Sequence, residues 1–278
     1  MDSAIKTAVA APFSELQTQL TARLDRADEL RDAGDLDAAI TILETALTEA
    51  GKPHDPMDFQ VRVTLAMTLA DFYTADGRLQ KARENLAREV SDAEEMYRAM
   101  HAAAAGQMEK RMFFRGLTIL RDHLTQLTLI GEAAPEIAVK RWLNSDPLTL
   151  AGLRGHVVLL EFWATWCKPC QAMFPELKKY NDDYAARGLR ILALTRHYFA
   201  DLSTADSQES ELELIRSFVR DHGLDFPVGI AEDAGTQSSY GATGMPTLAL
   251  IDRQGRVRCY HSDPDFDEVL QSCLNESA

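Results

Sequence analysis

Two hydrophobic rhythms divide this chain. Between about residues 14 and 130 the apolar positions return every three or four residues. The sets are Leu16, Leu20, Leu24, Ala27 and Leu30; Ala39, Leu43 and Leu47, with Ile40 beside them; Leu65, Leu69 and Phe72; Leu79, Ala82, Leu86 and Val90; and Phe113, Leu117, Leu120, Leu124 and Leu127. At 3.6 residues per turn each set lies on one face of a helix, so helices are predicted throughout. The breaks are Gly34-Asp35, the run from Gly51 to Pro56, and Asp76-Gly77, all turn-forming chemistry. After GEAAP at 131–135 the pattern changes to short β-rich runs: Val157 to Trp163, Arg190 to Thr195, Thr247 to Ile251 and Arg256 to Tyr260. Helical periods intervene at 170–187 and 208–221 and return at 265–275. Strands alternating with helices predict an α/β layer, with VVLLEFW as a central strand buried on both faces. The expected organisation is an all-α domain over 1–130 followed by an α/β domain over 131–278.

Within the first half, AGDLDAAITIL (33–43) aligns with DGRLQKARENL (76–86). Each reads Gly, a polar residue, Leu, two further residues, then Ala. The segments resemble the turn and second helix of a tetratricopeptide-like hairpin, in which glycine turns the chain and Ala39 and Ala82 let helices approach closely. The first copy has a second small residue at Ala46, where the second copy has Glu89. Such hairpins often bind a protein partner; a bundle that only supports its neighbour is the alternative.

Composition narrows the choices. The chain has 278 residues, 46% hydrophobic and 26% charged, which is globular and long enough for two domains. Its net charge of −14 argues against nucleic-acid binding, which needs a basic face. No apolar run approaches the ~18–20 residues of a membrane span. The opening MDSAIKTAVAAPFSEL has no sustained apolar core, so a cytoplasmic location is expected, or a periplasmic one if an export signal was trimmed. Four cysteines are too few for a disulfide-built scaffold, but two of them stand three apart in EFWATWCKPCQAMFP.

On this map Cys167 falls at the start of a helix that follows the buried strand. Unpaired N–H groups and the helix dipole there favour a thiolate, and Lys168 adds a positive charge. Pro169 lies in the first turn, where its missing N–H costs little. Cys170, one turn on, is the more buried thiol. A structural zinc site requires a second ligand pair; Cys259 and Cys273 are fourteen apart, and no histidine has a ligand-like spacing. A purely structural disulfide remains as an alternative to redox exchange. Cys259 and Cys273 themselves are expected to be core residues.

FWATWCKPC, Pro175, and GMPT at 244–247 resemble the thioredoxin fold. AAPEIAV (133–139), LAGLRGHVVLLEFWATWC (150–167), LDFPVGIAED (224–233) and YGATGMPTLALIDRQGRV (240–257) resemble, more narrowly, the TlpA/ResA-like thiol-disulfide oxidoreductases. The resemblance covers about 131–278. It implies that Cys167 attacks and Cys170 resolves, and that Pro246 is the cis-proline beside the disulfide. It also implies that Met245 offers backbone hydrogen bonds to a bound peptide, and that Trp163 and Trp166 cover the site and exclude water. Glu161 departs from the pattern: it occupies the buried position that is aspartate in thioredoxin and often asparagine in the TlpA-like group. It is expected to take the Cys170 proton; a hydrogen-bonded strand glutamate is the alternative. The implied partners are a disulfide-containing protein substrate and a reductase that recharges the dithiol, with no cofactor besides the Cys167–Cys170 pair.

Three further features stay open. Arg196-His197-Tyr198 leave the strand RILALT on the edge where Cys167 sits, to line a substrate groove, to tune the thiolate, or as a solvated loop. A peroxidase, which presents threonine three positions before a lone cysteine, fits less well, because Thr165 is two before Cys167 and a second cysteine follows. An adaptor whose thioredoxin-like half only binds is the rival of the enzyme.

Overall fold

The structure, a computed structural model, describes residues 15–53, 55–102, 106–199, 205–263 and 265–276. Residues 1–14, on which the expected location rested, lie outside the described residues. The chain divides into two compact units, Met1–Leu120 and Arg121–Ala278.

Five helices account for the first rhythm: α1 Glu15–Asp32, α2 Leu36–Ala50, α3 Pro56–Ala75, α4 Leu79–Ala102 and α5 Gln107–Leu129, the last crossing the division between the units. Sequence neighbours α1 to α4 pack in succession. Asp35 caps α2 by accepting from the Ala38 N–H, and Asp55 caps α3 by accepting from Met57 and Asp58, with Pro56 in the first turn. Ala39, Ala46 and Ala82 are fully buried, as close helix approach requires. Phe59 of α3 stacks on Phe113 of α5 with ring centroids 3.7 Å apart. Glu89, which breaks the small-residue pattern, is buried all the same. Arg62 of α3 holds it with a two-pronged fork, 2.8 Å to each carboxylate oxygen.

The second unit is a six-stranded mixed sheet. Its elements are β1 Val139–Leu143, β2 Val157–Phe162, α6 Lys168–Tyr184, β3 Leu189–Arg196, α7 Ala205–Asp221, β4 Val228–Ala231, α8 Gly235–Ser239, β5 Thr247–Ile251, β6 Val257–Tyr260 and α9 Phe266–Asn275. The strand order is β1-β4-β3-β2-β5-β6, with β2, β3 and β4 parallel and the other pairings antiparallel. All six residues of β2 are buried, as a central strand covered on both faces must be. Its side chains alternate. Val157 and Leu159 join the core under α6, α7 and α9; Val158, Leu160 and Phe162 join the one that includes Ile137, Leu150 and Tyr240.

Two strands lacked a clear periodic signal. In β1, VKRWL puts exposed Lys140 and Arg141 in an edge strand, and β4 is only four residues long with a glycine inside it. The helical period at 208–221 falls within α7, whose Leu212, Ile215 and Val219 are buried. Among the described residues, no helix is long and apolar enough to cross a membrane.

Candidate active site

The chain leaves β2 through Trp163 and Ala164 and enters α6 at Cys167, the N-cap residue. The Cys167 sulfur accepts a hydrogen bond from the Cys170 backbone N–H at 3.2 Å, and the two cysteines are joined in a disulfide. A cap residue ordinarily offers a side-chain oxygen to this N–H; here a sulfur takes that place, and the same donor favours its ionised form. Pro169 stands in the first turn, and Pro175 interrupts the helix further along. Lys168 is exposed and donates to Gln171. Cys170 is fully buried and Cys167 is 3% exposed, the order expected of a resolving and an attacking thiol.

The loop before β5 brings the second wall. The Met245–Pro246 bond is cis, and Met245 packs on the core that contains both cysteines. Residues of α5 that belong to this unit hold the loop. The Asp122 carboxylate accepts from the Thr243 hydroxyl and the Gly244 N–H, and the Gln126 amide donates to the Gly241 carbonyl at 2.6 Å. Gly241 has φ of 58°, and a Cβ there would overlap the Asp122 carbonyl, so glycine is required twice over.

Glu161 lies within β2, in the alternation that carries Val157, Leu159 and Trp163 toward the cysteine side of the sheet. Its neighbours across the ladder, Ala193 and Leu248, belong to that same core. It is fully buried, and neither carboxylate oxygen has a hydrogen-bond partner among the described residues. Burial pushes its carboxyl up to about 8, close to the range of an ordinary thiol. The alternative of a hydrogen-bonded strand glutamate therefore lacks its hydrogen bond.

The tryptophans part company. Trp166 is 50% exposed at the mouth. Trp163 is fully buried against Phe174 and Phe218, in the core that contains both cysteines. Its position follows from β2, whose next inward place after Glu161 is residue 163.

Arg196-His197-Tyr198 do not form a solvated loop. The Tyr198 ring meets Trp166 edge to face at 5.6 Å, and its hydroxyl donates to the Met245 sulfur at 3.3 Å. The Arg196 guanidinium lies over the same ring. Gln237 of α8 ties the two: its amide donates to the Tyr198 hydroxyl and its carbonyl accepts from Arg196, each at 2.8 Å. Gln237 carried no signal in the sequence, because GTQSSYGATG reads as a turn and only the fold delivers its buried side chain to Tyr198. Cys259 and Cys273 are core residues; burial raises both thiols, Cys273 to about 11.

A bonded cysteine pair opening a helix at the end of a central strand, with a cis-proline loop packed on the same core, defines a thioredoxin-like domain of the thiol–disulfide exchange class. The sequence comparisons agree: the Redoxin profile matches residues 129–272, over half of the chain, and the protein belongs to the Redoxin family. The thiol-disulfide oxidoreductase ResA of Bacillus thuringiensis strain Al Hakam is 34% identical over 128 residues, 46% of this chain and 66% of that protein. ResA of Bacillus thuringiensis subsp. konkukian is 31% identical over 51% of this chain and 76% of its own length. A crystal structure of a thiol-disulfide isomerase from Corynebacterium glutamicum is 25% identical, covering 52% of this chain and 98% of that one, with a TM-score of 0.42. The matches fall on the C-terminal half, a ResA-like oxidoreductase domain; the five-helix half takes no family name from them.

Proposed function

We propose that this protein exchanges disulfides with protein substrates through Cys167 and Cys170, and that it works as a reductant. The observation that carries the exchange is the Cys167–Cys170 bond at the N-cap of α6, where the leaving sulfur is stabilised as a thiolate. That stabilisation by itself raises the potential, and the reducing direction is taken from the likeness to the ResA oxidoreductases. In the reduced protein the Cys167 thiolate attacks one sulfur of a substrate disulfide. The substrate's S–S bond breaks, its other sulfur departs as a thiolate that takes a proton from water, and a mixed disulfide forms. Cys170 then gives its proton to the Glu161 carboxylate and attacks Cys167. The Cys167–Cys170 bond closes, the second substrate sulfur leaves as a thiolate, and two electrons have passed to the substrate. A carboxyl near 8 suits this step, since proton transfer between groups of similar pKa is close to balanced in either direction. When a recharging dithiol later opens the bond, protonated Glu161 returns the proton to Cys170.

The helical half is the proposed site for a protein partner. A cleft of about 360 Å³ there, with Leu47, Lys52, Arg62, Glu95 and Met96 among its lining, supports that assignment.

Insulin reduction by dithiothreitol tests the activity. Wild-type protein should accelerate it and Cys167→Ser should not, while Cys170→Ser should accumulate a covalent mixed disulfide with substrate. No acceleration by wild type, or equal acceleration by Cys167→Ser, would overturn the proposal. Glu161→Gln should slow release of the mixed disulfide at neutral pH; an unchanged single-turnover rate would retire Glu161 from the mechanism.

A further inference from the structure

We propose that Tyr198 is a positioning residue for this exchange: it braces Trp166 and Met245 as the two walls between which the substrate segment carrying the target cysteine lies. The proposal rests on the thiol–disulfide reading above and assigns the geometry of its substrate groove.

Trp166 and Met245 come from parts of the chain far apart in sequence, one at the entry to α6 and the other before β5. Nothing in local structure sets the gap between them. Tyr198, at the exit of β3, is in contact with both. Its ring edge meets Trp166 at 85° and its hydroxyl donates to the Met245 sulfur. An indole that is half in solvent would otherwise be free to change rotamer, and a methionine has three rotatable bonds. One rigid phenol with only two side-chain torsions limits both walls at once.

Tyr198 is in turn held from three sides. Gln237 of α8 donates to its hydroxyl, so that oxygen is satisfied as acceptor while its proton is directed to sulfur. Arg196 covers its face at 4.1 Å and is itself held by the Gln237 carbonyl. Glu211 of α7, nearly buried, accepts from the backbone N–H groups of Tyr198 and Phe199, which fixes the turn after β3. Such a supported bracket spends its ordering cost during folding, so less has to be lost when substrate binds.

A brace of this kind changes how well a protein disulfide is held and leaves the chemistry of the sulfur alone. Cys167 owes its thiolate to the α6 N-terminus, which Tyr198 does not contribute. The experiment compares wild type, Tyr198→Phe and Tyr198→Ala by three measurements: KM and kcat for insulin, the pH profile of iodoacetamide alkylation of reduced Cys167, and the thermal midpoint. Tyr198→Ala should raise KM for insulin by about tenfold with kcat little changed, as expected on losing one well-packed aromatic at an interface. Its alkylation pH profile should superimpose on wild type. Tyr198→Phe, which keeps the ring against Trp166 and loses the bond to Met245, should show a smaller rise. If Tyr198→Ala leaves KM unchanged, or slows alkylation and insulin reduction in equal proportion with a lowered thermal midpoint, the bracket has no positioning role. A wild-type protein unable to reduce insulin would remove the parent reading and this one with it. Wild-type activity combined with unaltered KM in Tyr198→Ala would remove this one alone.

Discussion

Each half of the molecule buries a glutamate, and the two are treated in opposite ways. Glu89 in the helical half is 7% exposed and receives both arms of Arg62, whose remaining nitrogen donates to the carbonyls of Leu47 and Gly51. Glu161 in the α/β half is fully buried and has no partner at either oxygen among the described residues. Burial raises the carboxyl of both; at Glu89 the guanidinium works against that rise, and at Glu161 nothing does. A paired carboxylate in a helix bundle holds helices together. An unpaired one costs stability when it ionises, and in the proposed exchange its retained proton is the one passed to and from Cys170.

The largest expected effect of the difference between the two glutamates is on how stability varies with pH. The folded-state carboxyl of Glu161 lies near 8, against 4.5 for a free glutamate, so the folded state binds the proton more tightly. The associated stabilisation is fully present below the unfolded value and is lost as pH rises through about 8. Its full size is about 5 kcal/mol. All three tryptophans, Trp142, Trp163 and Trp166, lie in the α/β unit, so urea unfolding followed by tryptophan fluorescence reports that unit. Oxidised wild type should lose stability between pH 5 and pH 8.5, whereas Glu161→Gln should have a flatter profile and be the more stable protein at the alkaline end. Parallel profiles would mean that Glu161 is solvated or paired.

Next in size is the helical counterpart. Arg62→Ala strands Glu89 and should cost about 3–5 kcal/mol, seen by far-ultraviolet circular dichroism as a lower urea midpoint for the helical transition. Replacing both partners by apolar residues, Arg62→Met with Glu89→Leu, should recover most of the loss. If Arg62→Ala is neutral, the fork holds nothing together and the contrast between the glutamates disappears.

Glycines offer a smaller contrast. Gly241 and Gly77 both have positive φ, but a Cβ at Gly241 would overlap the Asp122 carbonyl, while at Gly77 there is open space. Gly241→Ala should cost more than the ~1–3 kcal/mol of backbone strain alone and should raise KM for insulin, because its loop leads to Met245. Gly77→Ala should cost about 1 kcal/mol and leave KM alone. Smallest is Asp35→Ala, which removes the α2 cap and should lower the helical midpoint by ~1 kcal/mol with no effect on insulin reduction.

The elements were legible where periodicity is strong. The five helices, the four predicted strands and the cysteine-bearing helix follow from spacing, and the cis bond at Pro246 was implied by resemblance. β1 and β4 were not legible, because an edge strand with two exposed cations and a four-residue strand with a glycine show no period. Glu161 could be placed in the strand by its pattern, and its turn toward the cysteine pair was implied by resemblance.

What the chain determined alone was therefore local: which segments coil, which extend, and that a thiol stands at a helix start, since each depends on contacts within a few residues. The tertiary structure decided the rest. It left Glu161 without a partner among the described residues and gave Glu89 one. It buried Trp163 in the core that contains both cysteines, and it drew Tyr198, Gln237 and Met245 into one hydrogen-bonded group. Those outcomes depend on which side chains arrive from distant strands and helices, and packing across a sheet is not written in the spacing of any single one.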